Sequence, residues 1–491
     1  MPAVIDPLHW PLRKHLLWLL PALLIKGVFF LYFINDTAAL EHMGRWALYT
    51  SDTVGYVGPG ENLYTYGRYE DDHRMPGFAM LFYFLRHFLS TGNAADAITV
   101  LQWLFSCVGM YALALTVLML GAPWRWFLFT YAALISSLLV ARLEVDLMTD
   151  SFCTSALALH ASFLIFHLRG GNRWWLPIAG LMLTWAVFLR PIYAVLLPLE
   201  VFFLLLRTGS AWKARMGMAV GFLLPWVLID GAWIVRNYSV YHEVRPLTND
   251  LYPRGFSTAQ YYAMIQFTQA YGGNNNYWDP TSDLRWYGMR ELQGPGRTIL
   301  VDQHREPQPY LFTSQCNMDS LLLLRSAITR LYSGPIPEQE YDSLLAGVWE
   351  RTTRYRLALQ RERPFQYHVT ARLRLLRHLV VHSGSSVIFS KPMADLAWWE
   401  QAAKLYQSAL YWFAMVVGSA GAVWVFLRRR RDLPLVLLSG LVLYGIFIHP
   451  VAMRICEIRY LVPTFPISVL AAVLWCWMWV DGWRRRWGVA E

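Results

Sequence analysis

The chain is short of charged residues. Asp, Glu, Lys and Arg make up 15% of its 491 residues, and 56% of the residues are hydrophobic. A soluble globular protein carries about 25% charged residues. The apolar residues also come in blocks of about 20, the length that crosses the hydrocarbon core of a bilayer. The composition therefore excludes an ordinary soluble domain and predicts an all-α polytopic membrane protein.

Several motifs of soluble enzymes are missing as well. The five cysteines include no CxxC pair, the histidines form no HExxH motif, and the chain has no GxxxxGK loop. These absences argue against a zinc enzyme and against a P-loop nucleotide-binding protein. The net charge of +10 would indicate nucleic acid for a soluble protein, but cytoplasmic loops of membrane proteins collect Lys and Arg. We therefore expect membrane lipid as a partner and no nucleic acid.

The hydrophobic blocks predict about ten transmembrane helices. They lie roughly at residues 15–34, 97–119, 126–142, 150–168, 174–189, 192–206, 216–234, 402–427, 433–449 and 460–480. Segment 75–90 is also apolar, but it is short and carries Arg86 and His87. It is therefore predicted to lie along the membrane interface rather than to cross it.

The distribution of arginine predicts the topology. With a cytoplasmic N-terminus and an interfacial segment 75–90, the basic clusters near Arg169, near Arg207 and at Arg428–Arg431 all lie in the cytoplasm, as the positive-inside rule requires. The loop 35–96 and segment 235–400 then lie together outside. This topology predicts a multi-pass protein of the cytoplasmic membrane.

The same topology divides the chain into three parts. Residues 1–234 form a transmembrane module that includes the first outer loop, 35–96. Residues 235–400 form an extracytoplasmic domain, which is predicted to be α-rich because proline and acids precede its helical patterns. Residues 401–491 contain the last spans and a basic tail.

Carboxylates and arginines cluster at the outer ends of the predicted spans. The residues concerned include Asp36, Asp52, Asp71, Asp72, Asp146, Asp150, Arg190, Arg236, Arg454, Glu457 and Arg459. Polar residues at a membrane boundary usually face a water-filled cavity. A carboxylate can deprotonate a hydroxyl, and a guanidinium group matches phosphate oxygens.

Structural roles are the alternative for each of these residues. Asp150 stands where it could cap the helix that follows, and the loop around Asp71 could be a solvated turn. Arg190 could extend its side chain to the interface. A transporter would use the same residues for binding, but it needs polar groups near the membrane midplane and two matching halves.

The order of motifs adds a family resemblance. Asp52, Tyr56, Glu61, Gly67 and "RMPGF" at 74–78 resemble the first outer loop of C-type (GT-C) membrane glycosyltransferases. The bacterial branch related to protein O-mannosyltransferases and lipid A aminoarabinose transferases is the most similar. "MTDSFCTSALAL", "AVFLRPIYAVLLP", "PWVLIDGAWIVRNYSVYHEVRPLT" and "EIRYLVPTFP" follow in the family's order.

The resemblance implies an inverting glycosyltransferase with a polyprenyl-phosphate-sugar donor and a lipid, glycan or protein acceptor. Its active site would face the periplasm or exterior. Asp52 and Asp150 match the catalytic acids, and Asp150 would orient the acceptor or a metal. A divalent cation, Mg or Mn, is used by some members and not by others.

The resemblance, together with position, also suggests substrate ligands. Arg74, Arg459 and Arg454 are candidates for the donor phosphate, and of these Arg454 rests on its neighbourhood alone. Tyr56, Glu61, Arg190 and Arg236 are further candidates for binding the substrate. A non-enzymatic transporter or flippase of lipid-linked sugars is the alternative function.

Overall fold

The computed structural model of the chain is built from helices. It describes residues 7–36, 40–50, 52–69, 74–206, 211–247, 266–267, 270, 311–332, 335–384, 388–389, 391, 393–454 and 457–486. The α-helices of these residues, in chain order, are α1 (Leu12–Asp36), α2 (Thr53–Tyr66), α3 (Pro76–Arg86), α4 (Thr91–Met119), α5 (Trp124–Ile135), α6 (Leu138–Arg142), α7 (Thr149–Gly170), α8 (Trp175–Leu189), α9 (Leu196–Leu205), α10 (Trp212–Tyr241), α11 (Met318–Tyr332), α12 (Glu338–Glu362), α13 (Ala371–Val381), α14 (Trp398–Trp412), α15 (Ser419–Arg428), α16 (Leu433–Phe447), α17 (Ile458–Leu461) and α18 (Phe465–Arg486).

The predicted all-α membrane architecture is confirmed. Eight helical stretches in the described residues are long and apolar enough to cross a membrane, and each coincides with one of the ten predicted spans. The other two predicted spans form shorter apolar helices, Trp175–Leu189 and Pro191–Leu205. Segment 75–90 contains only the 11-residue helix α3, which at 1.5 Å per residue is about 16 Å long and therefore too short to cross.

The chain divides into two compact units. The first contains residues 1–249, 383–446 and 459–491, and the second contains residues 250–382 and 447–458. Ile388, Phe389 and Leu396, which the sequence assigned to the extracytoplasmic segment, share a hydrophobic core with Phe30 and Phe33 of α1.

Helix α7 lies at the centre of the first unit, and almost all of its residues are buried. It carries several hydroxyl side chains, which would be costly to bury without partners. Thr154, Ser155 and Ser162 each donate to the backbone carbonyl four residues earlier, at 2.6–3.0 Å. Because these three hydroxyls are satisfied within the helix, they need no polar partner on the neighbouring helices.

A side chain accepts hydrogen bonds from the backbone N–H groups that are freed at the break between α5 and α6. Backbone N–H groups freed at a helix break inside a membrane need a partner other than water. The amides of Leu138 and Leu139 donate to Oε1 of Gln407 on α14, at 2.9 and 3.3 Å. This contact links the break to the C-terminal helices of the same unit.

The second unit has its own hydrophobic core. Phe267, Leu321, Leu324, Leu359 and Tyr367 are among its buried members. The core lies between α11 and α12, with Tyr367 added from the short π-helical segment Gln366–Thr370 that precedes α13.

Candidate active site

Helix α2 carries Asp52 at its start. Asp52 occupies the N-cap position, yet its side chain makes no capping hydrogen bond. The neighbouring Thr53 makes the hydrogen bonds to the backbone at this helix start. Its hydroxyl accepts from the amide of Thr50 at 2.8 Å and donates to the carbonyl of Leu147 at 3.3 Å. The carboxylate of Asp52 is therefore left for partners outside its own helix.

Gly60 lets α2 approach α3 closely, and Gly77 lets α3 approach the end of α8 closely. A Cβ on Gly60 would lie 2.4 Å from the carbonyl oxygen of Ala79, and one on Gly77 would lie 2.6 Å from that of Phe188. Real Cβ atoms do not come this near to a backbone oxygen. A larger residue at position 60 would push α2 away from α3, and one at position 77 would push α3 away from α8.

Backbone pairing fixes the first loop to the segment that precedes α7. The amide of Leu48 donates to the carbonyl of Val145 at 2.8 Å, and the amide of Leu147 donates to the carbonyl of Leu48 at 3.1 Å. The Asp96 carboxylate accepts from the backbone amides of residues 45, 46 and 47 at 2.7–3.2 Å. Together these bonds bring the start of α2 to the start of α7.

Asp52 lies between two arginines. Its Oδ2 accepts a hydrogen bond of 2.7 Å from Nη1 of Arg459, whereas its Oδ1 is 3.5 Å from Nη2 of Arg74. The first distance is that of a strong charge-assisted bond and the second is long for any hydrogen bond. The side chain is 24% exposed, so Oδ1 is the oxygen that can take another partner.

Tyr56 holds Arg74 in place. The hydroxyl of Tyr56 accepts from Nη1 of Arg74 at 2.7 Å, and the guanidinium carbon lies 4.3 Å from the centre of the Tyr56 ring. Tyr56 and Asp52 are one helical turn apart on α2, so one face of this helix positions both.

Asp150 and Arg190 form a buried ion pair. Oδ1 of Asp150 accepts from Nη2 of Arg190 at 2.5 Å, and their side chains are 1% and 10% exposed. Met148 rather than Asp150 occupies the N-cap position of α7, and Asp150 makes no capping bond. The structural alternative of a helix cap is therefore wrong. Oδ2 of Asp150 is buried and has no hydrogen-bond partner among the described residues.

Arg459 connects the two carboxylates. It interacts electrostatically with Asp150 as well as with Asp52, and its Nη1 also lies 3.4 Å from the sulfur of Met148. The ring of the next residue, Tyr460, lies 4.9 Å from the guanidinium carbon of Arg190. Six predicted residues thus come together, and we call them the Asp52 cluster: Asp52, Tyr56, Arg74, Asp150, Arg190 and Arg459.

The Asp52 cluster has an excess of positive charge. Three guanidinium groups face two carboxylates, and Arg74 and Arg459 are 34% and 15% exposed. An arrangement of this kind can hold an anionic oxygen next to a carboxylate that has room to accept a proton. Guanidinium groups in a partly dry site stabilise such charge better than water does.

Three predicted residues have other surroundings. Glu61 forms an ion pair with Arg86 on α3, at 2.7 and 3.1 Å. Arg236 donates to the carbonyl of Tyr69 at 2.9 Å and lies over the rings of aromatic neighbours. Arg454 belongs to the second unit. Asp71 and Asp72 lie outside the described residues.

The partner of Glu61 is Arg86, a pairing that the sequence motifs did not indicate. Arg86 ends α3, and its hydrogen bond to Glu61 raises the pKa of its guanidinium above the usual value. The signal was available, since an arginine that interrupts an apolar segment needs a partner or water.

Lys26 was missed as well. It lies within α1 and forms an ion pair of 2.5 Å with Glu144, and both side chains are fully buried. Gln102 donates to the backbone carbonyls of Glu144 and Asp146 at 2.9 Å. These contacts hold the segment before α7 in place, and a lysine inside a predicted span was the signal that could have indicated them.

The described residues contain no group of three or more His, Cys, Asp or Glu side chains that could hold a metal ion. In the Asp52 cluster both carboxylates are engaged by arginines, and the oxygens without a short contact are Oδ1 of Asp52 and the buried Oδ2 of Asp150. A Mg²⁺ ion is usually held by one or two carboxylates together with waters and substrate phosphates. Asp52 and Asp150 are the residues of the cluster that would hold such an ion.

Comparison with known proteins gives structural similarities only. No family model matches the chain, and no curated protein matches its sequence. The chain is similar to the archaeal oligosaccharyltransferase AglB from Archaeoglobus fulgidus. For the apo form the TM-score is 0.48 at 12% identity, covering 97% of this chain and 51% of that one. For its complex with an inhibitory peptide and a dolichol-phosphate the TM-score is 0.45 at 11% identity, with the same coverage.

The chain is also similar to ArnT from Cupriavidus metallidurans in the apo state. Here the TM-score is 0.34 at 14% identity, covering 94% of this chain and 76% of that one. The chain spans about half the length of the AglB structures. Identities and TM-scores this low fix neither a substrate nor the role of any residue.

Proposed function

We propose that this protein is a membrane glycosyltransferase. It moves a sugar from a polyprenyl-phosphate-linked donor to a lipid, glycan or protein acceptor at the outer face of the cytoplasmic membrane. The observation that carries the proposal is the Asp52 cluster, in which a partly exposed carboxylate lies beside arginines that are able to bind phosphate. The family resemblance of the first loop supports it.

Asp52 serves as the general base in this proposal. Its Oδ2 is held by Arg459, which leaves Oδ1 to accept the proton of the acceptor hydroxyl. The acceptor oxygen forms a bond to the anomeric carbon as the bond from that carbon to the phosphate oxygen breaks. The electron pair leaves with the polyprenyl phosphate, and the configuration inverts. Such general-base assistance contributes a factor of about 100 to 10,000 to the rate.

Arg74 and Arg459 bind the donor phosphate. Both are partly exposed, and Arg74 is held against the ring of Tyr56. Fixed cations at the departing oxygen stabilise charge that develops in the transition state. The donor is anchored in the bilayer by its lipid, which explains why the cluster lies at the ends of apolar helices.

Asp150 and Arg190 act as positioning residues. Their pair is buried, so Asp150 reaches the reacting atoms through its effect on Arg459 rather than by direct contact. Glu61, Arg236 and Arg454 remain predicted substrate ligands.

Two buried polar pairs favour one alternative, a transporter or flippase of lipid-linked sugars. Lys26 pairs with Glu144, and His160 pairs with Glu200 at 2.9 Å. Polar groups deep in a membrane often mark transport pathways. In each of these pairs, however, the two side chains contact each other and are buried by surrounding protein.

Sugar transfer by the purified protein in nanodiscs tests the proposal. Wild type and Asp52→Asn are compared across a panel of undecaprenyl-phosphate sugars and acceptors. Asn keeps the shape of the side chain and removes the base, so we expect turnover to fall about 100-fold or more. Asp342→Asn, the same change at an exposed position of α12, is the control and should leave turnover unchanged.

Two results would count against the proposal. Equal turnover in wild type and Asp52→Asn would remove the catalytic role of Asp52. Binding of a sugar lipid without turnover in either protein would favour the transporter.

A further inference from the structure

Three arginines of the second unit surround one buried tyrosine. Arg356 lies on α12, Arg372 lies on α13, and Arg454 follows the π-helical segment Ile448–Met453. All three have contacts with Tyr367 or with its neighbour His368. None of them belongs to the Asp52 cluster.

Arg454 is the most buried of the three, with 2% of its surface exposed. Its guanidinium carbon lies 3.7 Å from the centre of the Tyr367 ring, and its Nη2 donates to the Tyr367 carbonyl at 3.0 Å. The residue adopts a left-handed backbone conformation with φ of 54°. A long side chain is rarely held in this way, and such strain concentrates at functional positions.

Arg356 and Arg372 complete the group. Arg356 donates from Nη1 to the hydroxyl of Tyr367 at 3.2 Å, and Arg372 donates from Nη1 to the carbonyl of His368 at 3.4 Å. Tyr367 and His368 lie in the π-helical segment Gln366–Thr370. A π-helical turn is uncommon in proteins and is frequently found at functional sites.

Each of the three arginines retains an unused donor. Arg454 Nη1, Arg356 Nε and Arg372 Nε are buried and have no hydrogen-bond partner among the described residues. No ion pair joins any of them to a carboxylate in the described part of the chain. A buried donor without an acceptor costs about 1–3 kcal/mol, and a charged one costs more.

Among the described residues, the three arginines have no carboxylate partner to balance their positive charge. Burial lowers the pKa of Arg454 to about 10; the nearby Tyr367 opposes this shift, whereas Arg372 and Arg356 add to it. Burial also lowers the pKa of His368, and Arg372 and Arg454 lower it further. An anion bound among these groups would offset the repulsion and accept the unused hydrogen bonds.

We propose that Arg356, Arg372 and Arg454 form an anion site for a phosphate group, built from residues of the second unit alone. Phosphate suits it better than a carboxylate, because it offers three or four acceptor oxygens around one centre, and guanidinium groups bind such oxygens in pairs. The phosphate can be free in solution or part of a lipid headgroup. Arg454 is also one of the predicted substrate ligands, but the phosphate binding proposed for these three arginines does not require sugar transfer.

Phosphate binding by the full-length protein in phosphatidylcholine nanodiscs tests this site. In one arm inorganic phosphate is titrated against chloride at constant ionic strength, and the unfolding midpoint is followed, since a ligand stabilises the state that it binds. In the other arm phosphatidic acid replaces part of the phosphatidylcholine, without free phosphate. Stabilisation in the first arm identifies a soluble phosphate, and stabilisation in the second alone identifies a lipid phosphate.

Variants assign the effect to the site. Arg372→Gln should weaken binding at least about tenfold in Kd, which is about 1.4 kcal/mol, and Arg454→Gln should do the same if it folds. Arg354→Gln changes an exposed arginine of α12, the helix that carries Arg356, and should bind like wild type. Stabilisation in neither arm, or an equal loss in Arg354→Gln and Arg372→Gln, would overturn the proposal.

Discussion

The ion pair between Asp150 and Arg190 should be one of the energetically strongest contacts of the first unit. It joins the start of α7 to the residue after α8, and its side chains are 1% and 10% exposed. The chain offers a matched control in the pair of Arg169 and Asp432, which has nearly the same separation, 2.8 Å, but side chains 36% and 30% exposed. The two pairs differ chiefly in burial.

The expected magnitudes follow from that difference. Removing one partner of a buried pair leaves an uncompensated charge in a medium of low dielectric constant, which costs about 3–5 kcal/mol. Asp150→Asn or Arg190→Gln should therefore lower the free energy of unfolding by about that amount. The double variant removes both charges, so it should cost less than the sum of the single variants, with a coupling of about 2–3 kcal/mol.

The exposed pair should behave differently. Water and salt screen its charges, so Arg169→Gln, Asp432→Asn and their double variant should each change the free energy of unfolding by at most about 1 kcal/mol. Equilibrium unfolding in mixed micelles, with helicity as the readout, measures all six variants against wild type. A coupling at the buried pair no larger than that at the exposed pair would refute the reasoning.

Two further predictions concern packing and a second buried pair. Gly60→Ala should destabilise the protein by about 1–3 kcal/mol and lower sugar transfer, because the new Cβ would lie 2.4 Å from the carbonyl oxygen of Ala79. Gly58→Ala is the control and should have neither effect, because the nearest atom to its Cβ is 3.9 Å away. Thermal unfolding checks this, and equal effects of the two changes would contradict it. Lys26→Met should lower the free energy of unfolding by about 3–5 kcal/mol, because it leaves Glu144 charged and buried without its partner. Adding Glu144→Gln should restore part of this lost stability. The same unfolding assay measures both variants, and the absence of any recovery would speak against the pair.

The helices were predictable because their signal is local. Apolar blocks indicated the eight helical stretches that are long enough to cross, while the other two predicted spans form shorter apolar helices. The short length of α3 was visible as well. The boundary near Arg190 and Pro191 was visible too, since the residue before a proline tends to leave the helical conformation. Because hydrophobicity decides where these helices lie, a single sequence is enough to locate them.

The pairing of the site residues could not be predicted in the same way. The motifs indicated Asp52 and Arg459 as members of a site, but not that they bind each other or that Asp150 selects Arg190. The sequence also left open whether Asp150 caps α7, because position alone does not distinguish a cap from an ion pair two residues further into the helix. The sequence did not indicate Arg356 and Arg372 as site residues, because their grouping depends on contacts with a tyrosine and an arginine from elsewhere in the second unit.

The bond from Arg459 to Asp52 joins residues 407 positions apart. At about 5–20 residues per second of synthesis, the ribosome needs about 20–80 s to deliver the arginine after the aspartate. Throughout that interval the nascent protein already holds its first loop, yet it lacks one of the two cations beside Asp52. A chain that stalls or is released before α17 therefore inserts into the membrane with Asp52 paired to neither Arg459 nor any other residue of that helix.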